Sequence, residues 1–172
     1  MEQIIKTPQQ VAERLQYWFL RYYKIDAAEL NGTEVFTFFH LLPQHTSTWV
    51  LTALQLQEYE IPVLALRCNN EEYIINTTER FARVTAEGCK SISYKDFDGH
   101  KGYKSLQAFP LSEPKITAAH IKSNGSFATF LIRTKDGSIT EWTIPTGEAG
   151  FAFWSVTQRC EVMRRRYLIV KQ

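Results

Sequence analysis

The chain has 172 residues, enough for one domain or one domain with an accessory segment. Its hydrophobic fraction of 44% can fill a substantial core, and its formal charge of +2 is too small to announce a nucleic-acid or membrane partner. No apolar run approaches the roughly 20 residues a spanning helix needs, and MEQIIKTPQQ lacks the basic region, apolar core and cleavage site of a secretory signal, so a cytoplasmic location is expected.

Thr7-Pro8-Gln9-Gln10 reads as a helix start, with Thr7 as cap, Pro8 at the first helical position and Gln10 completing a capping box. Val11, Leu15, Trp18 and Tyr22 follow at helical spacing, which predicts an amphipathic helix over about residues 8–24. Phe19 widens its aromatic side, and Trp18, Phe19 and Tyr22 are the candidate partner interface, provided that they are exposed. Asn31-Gly32 turns the chain into an extended segment, Thr33–Leu42, closed by Pro43. A second helix is predicted over Ser47–Tyr59.

From Ile61-Pro62 the texture changes to short strands: Val63–Arg67, Glu72–Asn76, Arg80–Thr85 and Ser91–Tyr94. A less regular stretch, 96–114, precedes a fifth predicted strand, Ile116–Lys122. Asn124-Gly125 and Asp136-Gly137 then punctuate strands at Ser126–Thr134 and Ser138–Ile144. A helix is predicted over Glu148–Arg166, and Tyr167–Val170 reads as a short edge strand or a segment packed on the core. The expected fold class is α+β: a predominantly antiparallel curved sheet or partly open barrel, with a C-terminal helix and an N-terminal helical extension. The expected division is 1–60 as a helical accessory segment and 61–172 as the sheet domain, with a mixed α/β sandwich as the alternative.

EEYIINTTERFARV, CKSISYKDF, FLIRTKDGSITEWTIP and GEAGFAFWSVTQRCEV follow a strand, turn and terminal-helix cadence. That cadence resembles bacterial members of the pleckstrin-homology-like superfold over about residues 61–166. The resemblance implies a range of partners, including peptides, proteins and sometimes phosphoinositides, rather than a fixed reaction.

The chemical motifs are sparse. His40 and His45 are separated by Leu-Leu-Pro-Gln, so Pro43 breaks the helical face a two-histidine metal site would use. Asp96-Phe97-Asp98-Gly99-His100 places Lys101 and Gln107 where a calcium loop needs glycine and a bidentate acid. Cys68, Cys89 and Cys160 lack a close-spaced pair and read as buried thiols, and no local nucleophile elbow is present. Lys101-Gly102-Tyr103-Lys104 lacks the spacing of a phosphate-binding loop, so no cofactor, no metal and no catalytic residue are assigned.

Charge is uneven: residues 1–60 carry 4 basic and 7 acidic residues, the remainder 16 and 11. Lys95, Lys101 and Lys104, with Arg159, Arg164, Arg165 and Arg166, are therefore the candidate anion contacts. The expected function is noncatalytic recognition of a protein or peptide, with homo-oligomerisation open and nucleic acid less favoured. The alternatives are peripheral binding to an anionic membrane and a hydrolase or transferase whose concealed pocket joins His100 or His120 to Cys89 or Cys160.

Overall fold

The computed structural model describes residues 2–69, 71–106 and 118–171, with the Arg164 side chain outside that description. The first helix, α1 (Pro8–Tyr23), is capped as its sequence predicts: the Gln10 N–H donates to Thr7 Oγ1 at 3.3 Å, and the Thr7 N–H donates to Gln10 Oε1 at 3.1 Å. Its apolar stripe places Val11, Leu15 and Phe19 fully inside the main core. Lys24, in the left-handed region, ends the helix.

Five antiparallel strands form the larger sheet in sequential order: β2 (Phe36–Phe38), β3 (Pro62–Asn69), β4 (Glu72–Thr77), β5 (Arg80–Thr85) and β6 (Gly88–Ser93). Helix α2 (Gln44–Leu54) covers one face, where Val50 and Leu54 join Ala65, Ile75, Ala82 and Val84. The opposite face sends Leu64, Leu66, Ile74 and Phe81 into the main core beside α1. Covering both faces explains why β3 runs Val-Leu-Ala-Leu without polar alternation.

A three-stranded antiparallel sheet follows, of β7 (Phe97–Tyr103), β8 (Phe127–Thr134) and β9 (Ile139–Pro145), with the short α3 (Ala118–Lys122) ahead of β8. Helix α4 (Gly147–Gln158) packs against α1, β2, β7 and β9 and buries Ala152, Phe153 and Val156. The chain closes with α5 (Glu161–Arg166) and β10 (Tyr167–Ile169), which pairs in parallel with β1 (Ile4–Lys6).

The expected single curved sheet or partly open barrel is corrected by this arrangement. The strands divide among three separate sheets, and none is closed or strongly curled. The ladder breaks after β6, where the Tyr94 N–H turns back to the Glu79 carbonyl and the Asp96 carbonyl instead accepts from Lys135 N–H beside the smaller sheet. Helices α1 and α4 and their aromatic side chains fill the space between the two larger sheets.

Four local expectations also change. The predicted strand at 116–122 is helical over its described part, 118–122, in keeping with Ala118-Ala119 and the Ser123 N–H bond to the Ala119 carbonyl. Residues 107–114 of the irregular stretch lie outside the described residues, but β7 occupies its start. There the register shifts at Phe97/Gly99 and His100/Gly102, so bulges mask the alternation a strand normally shows. The second helix starts earlier and stops at Leu54, since Gln55 turns left-handed. The final helix is two helices, joined by a turn in which Cys160 N–H bonds the Thr157 carbonyl at 2.9 Å.

Candidate functional site

A concavity of about 610 Å³ opens where the end of α1, the 25–36 segment, the end of β3 and the 124–127 turn converge. Its floor is apolar, formed by the buried Phe19 and Phe36 with the partly buried Ile25 and Leu30. Two apolar side chains stand at the rim, Val35 at 36% exposure and Phe127 at 47%. Exposed apolar area beside a concave apolar floor is the feature that distinguishes a contact site from ordinary surface.

Local hydrogen bonding fixes the walls. Asn31 and Gly32 N–H groups donate to the Glu34 carboxylate at 3.0 and 2.9 Å, and the Thr37 hydroxyl donates at 3.1 Å. Burial alone would raise the Glu34 carboxyl, but these donors outweigh it and hold it below its usual range. Across the cleft, the Thr146 side chain makes no capping bond to α4. Asn124 supplies that cap from another segment, its Oδ1 accepting from the Glu148 N–H at 3.0 Å. The Thr146 hydroxyl donates to the Ser123 carbonyl at 2.6 Å, so the 123–126 turn and the start of α4 are tied into one wall.

The lining side chains include two carboxylates, Glu34 and Glu148, and one guanidinium, Arg67. Tyr23 lies among them. Burial pushes its hydroxyl up, and Glu148, Tyr22 and Glu34 push it further, so it stays protonated and can both donate and accept. One strand edge also reaches the cleft. Pairing of β3 with β2 covers Leu64–Leu66, and the Arg67 N–H then donates to the Val35 carbonyl at 2.8 Å. Beyond that bond β3 continues through Cys68 and Asn69, both lining the cleft. An apolar floor, a strand edge and a net acidic rim together suit an extended segment with an apolar side chain and a basic neighbour.

The predicted site residues lie elsewhere. Trp18 and Phe19, proposed as an interface on condition of exposure, are 8% and 0% exposed and belong to the core, where Phe19 packs edge-on against Phe36. Tyr22 is half-buried against the same core. Among the basic candidates, Lys95 lines a smaller groove beside β10 with Lys171. Helix α5 packs beside β7, so the segments bearing Lys101, Lys104 and the arginines come from neighbouring elements. Lys104 faces Glu141 at 3.0 Å and Arg165 faces Glu161 at 3.3 Å, while Arg159 and Arg166 are exposed.

Of the two histidines in the expected concealed pocket, His120 Nε2 lies 3.4 Å from the Phe127 carbonyl oxygen. His100 Nε2 meets Thr157 Oγ1, and four phenylalanines, Phe81, Phe97, Phe130 and Phe153, surround its ring. Burial lowers its pKa to about 3. The Cys160 thiol is buried, which pushes its titration up, and its hydrogen-bond partner is Tyr94. Burial likewise raises Cys89 on β6. Among the described residues no group of three His, Cys, Asp or Glu side chains is placed to hold a metal.

Sequence reasoning missed Tyr23, Glu34, Arg67, Phe127 and Glu148 as a site, because they lie on five separated stretches and no motif joins them. Comparison with known families, characterised proteins and solved structures finds no match. Among the described residues no helix is long and apolar enough to cross a membrane.

Proposed function

We propose that the protein is a noncatalytic recognition module that holds an extended segment of a partner protein in the cleft between α1, β3 and the 124–127 turn. The observation that carries this reading is the cleft's composition: an apolar floor with Phe127 and Val35 at the rim, the Cys68–Asn69 end of β3, and two carboxylates against one guanidinium. Main-chain pairing along β3 would supply affinity independent of sequence, an apolar side chain would fill the floor, and a neighbouring Lys or Arg would face Glu148 and Glu34.

Fluorescence anisotropy with three labelled peptides tests this reading. The peptides share one apolar core and carry basic, neutral or acidic flanks. The basic peptide is expected to bind about tenfold more tightly than the acidic one, with Glu148→Gln narrowing the gap and Phe127→Ala weakening all three. Equal affinities for the three peptides, or no binding at about 1 mM, would overturn it.

A further inference from the structure

The two-stranded sheet of β1 and β10 stands apart from both larger sheets, and among the described residues each of its strands pairs on one side alone. The Lys6 carbonyl accepts from the Val170 N–H at 2.9 Å, so the backbone groups of Lys6 face β10. In a parallel ladder these groups alternate in direction, and those of Ile5 therefore face away along the open edge of β1. Ile5 is 63% exposed, Ile4 46% and Leu168 46%, which places three large apolar side chains on this small sheet in water. Open strand edges with apolar side chains are normally blunted by charge, proline or a covering element.

The charges flanking β1 have the opposite consequence. Glu2 and Lys6 sit two residues either side of Ile4, so an antiparallel copy of the strand centred on Ile4 places each Glu2 opposite a Lys6. The same register sets Gln3 opposite Ile5, the residue of β1 whose backbone groups point outward. The other edge offers no such match. On β10 only Tyr167–Ile169 are extended and none of them is charged, and β6 carries Lys90 on its exposed run.

We propose that the open edge of β1 is a self-association surface, on which a second copy of the chain adds its own β1 antiparallel, Glu2 facing Lys6 at both ends and Ile4 facing Ile4 at the twofold axis. The contact joins two three-residue strands into one four-stranded sheet and is isologous, so it closes at the dimer. It buries far less than the roughly 1,200–2,000 Å² of a stable complex, and the dissociation constant is expected on the order of 100 µM at low salt.

Sedimentation equilibrium of the full chain, from about 10 µM to about 1 mM, reads this directly. The wild type is expected to pass from monomer towards dimer across that range. Glu2→Lys and Lys6→Glu each set like charges opposite one another and should weaken the dimer about tenfold, while the double exchange restores wild-type affinity. Ile5→Pro removes an outward N–H that the β1–β10 pair does not use, so it should abolish the dimer and leave the melting temperature unchanged. A monomer at every concentration, single exchanges as tight as wild type, or a double exchange that fails to restore association would each overturn the proposal.

Discussion

The junction of α2 with the five-stranded sheet and the layer between α4 and the three-stranded sheet both bury polar side chains, and they satisfy them differently. At the first, the Glu60 side chain is fully enclosed and accepts from Arg80 Nε at 2.8 Å, Arg80 Nη2 at 3.2 Å, the Thr77 hydroxyl at 2.6 Å and the Gln57 N–H at 2.9 Å. Arg80 donates onward to the Leu54 carbonyl at 2.8 Å and thereby caps the end of α2. In the second layer, the Thr157 hydroxyl donates to the Phe153 carbonyl at 2.6 Å, so the proton between Thr157 and His100 belongs to His100 Nε2. His100 Nδ1 is left buried with no partner among the described residues. A carboxylate can be buried only where every lone pair is answered, whereas a neutral imidazole among phenylalanines tolerates one missing donor.

The sharpest way to break the contrast is to remove the acid. Burial alone would raise the Glu60 carboxyl, but hydrogen bonds from Arg80, Thr77 and Gln57 reverse that and keep it ionised. Glu60→Ala leaves Arg80, whose side chain is 16% exposed, without its counter-ion and α2 without a firm anchor. The expected loss is about 3–5 kcal/mol in urea unfolding at neutral pH. A loss near that of an exposed ion pair, below about 1 kcal/mol, would mean that water replaces the carboxylate and that the junction is not sealed.

The second layer should instead be most sensitive to volume. Tyr103 is fully buried, donates to the Pro145 carbonyl at 2.8 Å, and lies directly over Gly150 of α4. A Cβ at Gly150 would overlap both the Tyr103 hydroxyl oxygen and the Pro145 carbonyl oxygen. Alanine favours a helix interior by about 1 kcal/mol, yet the overlap with a backbone carbonyl outweighs that, and Gly150→Ala is expected to cost about 1–3 kcal/mol in the same unfolding measurement. A stabilised variant would show that α4 can slide on the sheet.

The two regions also differ in how far their sequences announce them. In the five-stranded sheet local signals agree with the global fold: β5 forms over Arg80–Thr85 as its alternation predicts, and Thr7 and Gln10 make the capping box they spell. In the three-stranded sheet they conflict. Gly99 and Gly102 adopt positive φ at bulges in β7, and the Trp154 ring closes on Gly102, so a close approach disguises a strand as a loop. Asn124-Gly125 reads as a hairpin turn but follows a helix, with Asn124 serving as the remote cap of α4. The cleft was illegible for a related reason. Glu148 reads as an ordinary first-turn acid and Phe127 as a strand residue, and only the meeting of α1 with the 124–127 turn gives either a second role.

The last expected effect concerns acid rather than volume, and it separates the regions by pH. In the folded chain His100 stays neutral until about pH 3, while in the unfolded chain it protonates at the ordinary 6.5. Between these values the unfolded state binds the extra proton, so stability is fully present above 6.5 and falls as pH drops, by up to about 1.4 kcal/mol per pH unit. Glu60 acts in the same direction but later, since its lowered carboxyl contributes stability above the ordinary 4.5 and loses it only on further acidification. His100→Phe places a ring of similar size among Phe81, Phe97, Phe130 and Phe153 and removes the partnerless nitrogen, at the expense of the Thr157 contact. At pH of about 7.5 the variant should lie within roughly 1 kcal/mol of wild type. Between about pH 6.5 and 5 its urea midpoint should flatten while the wild type declines, and an unchanged slope would show that the acid-sensitive group is not the histidine under α4.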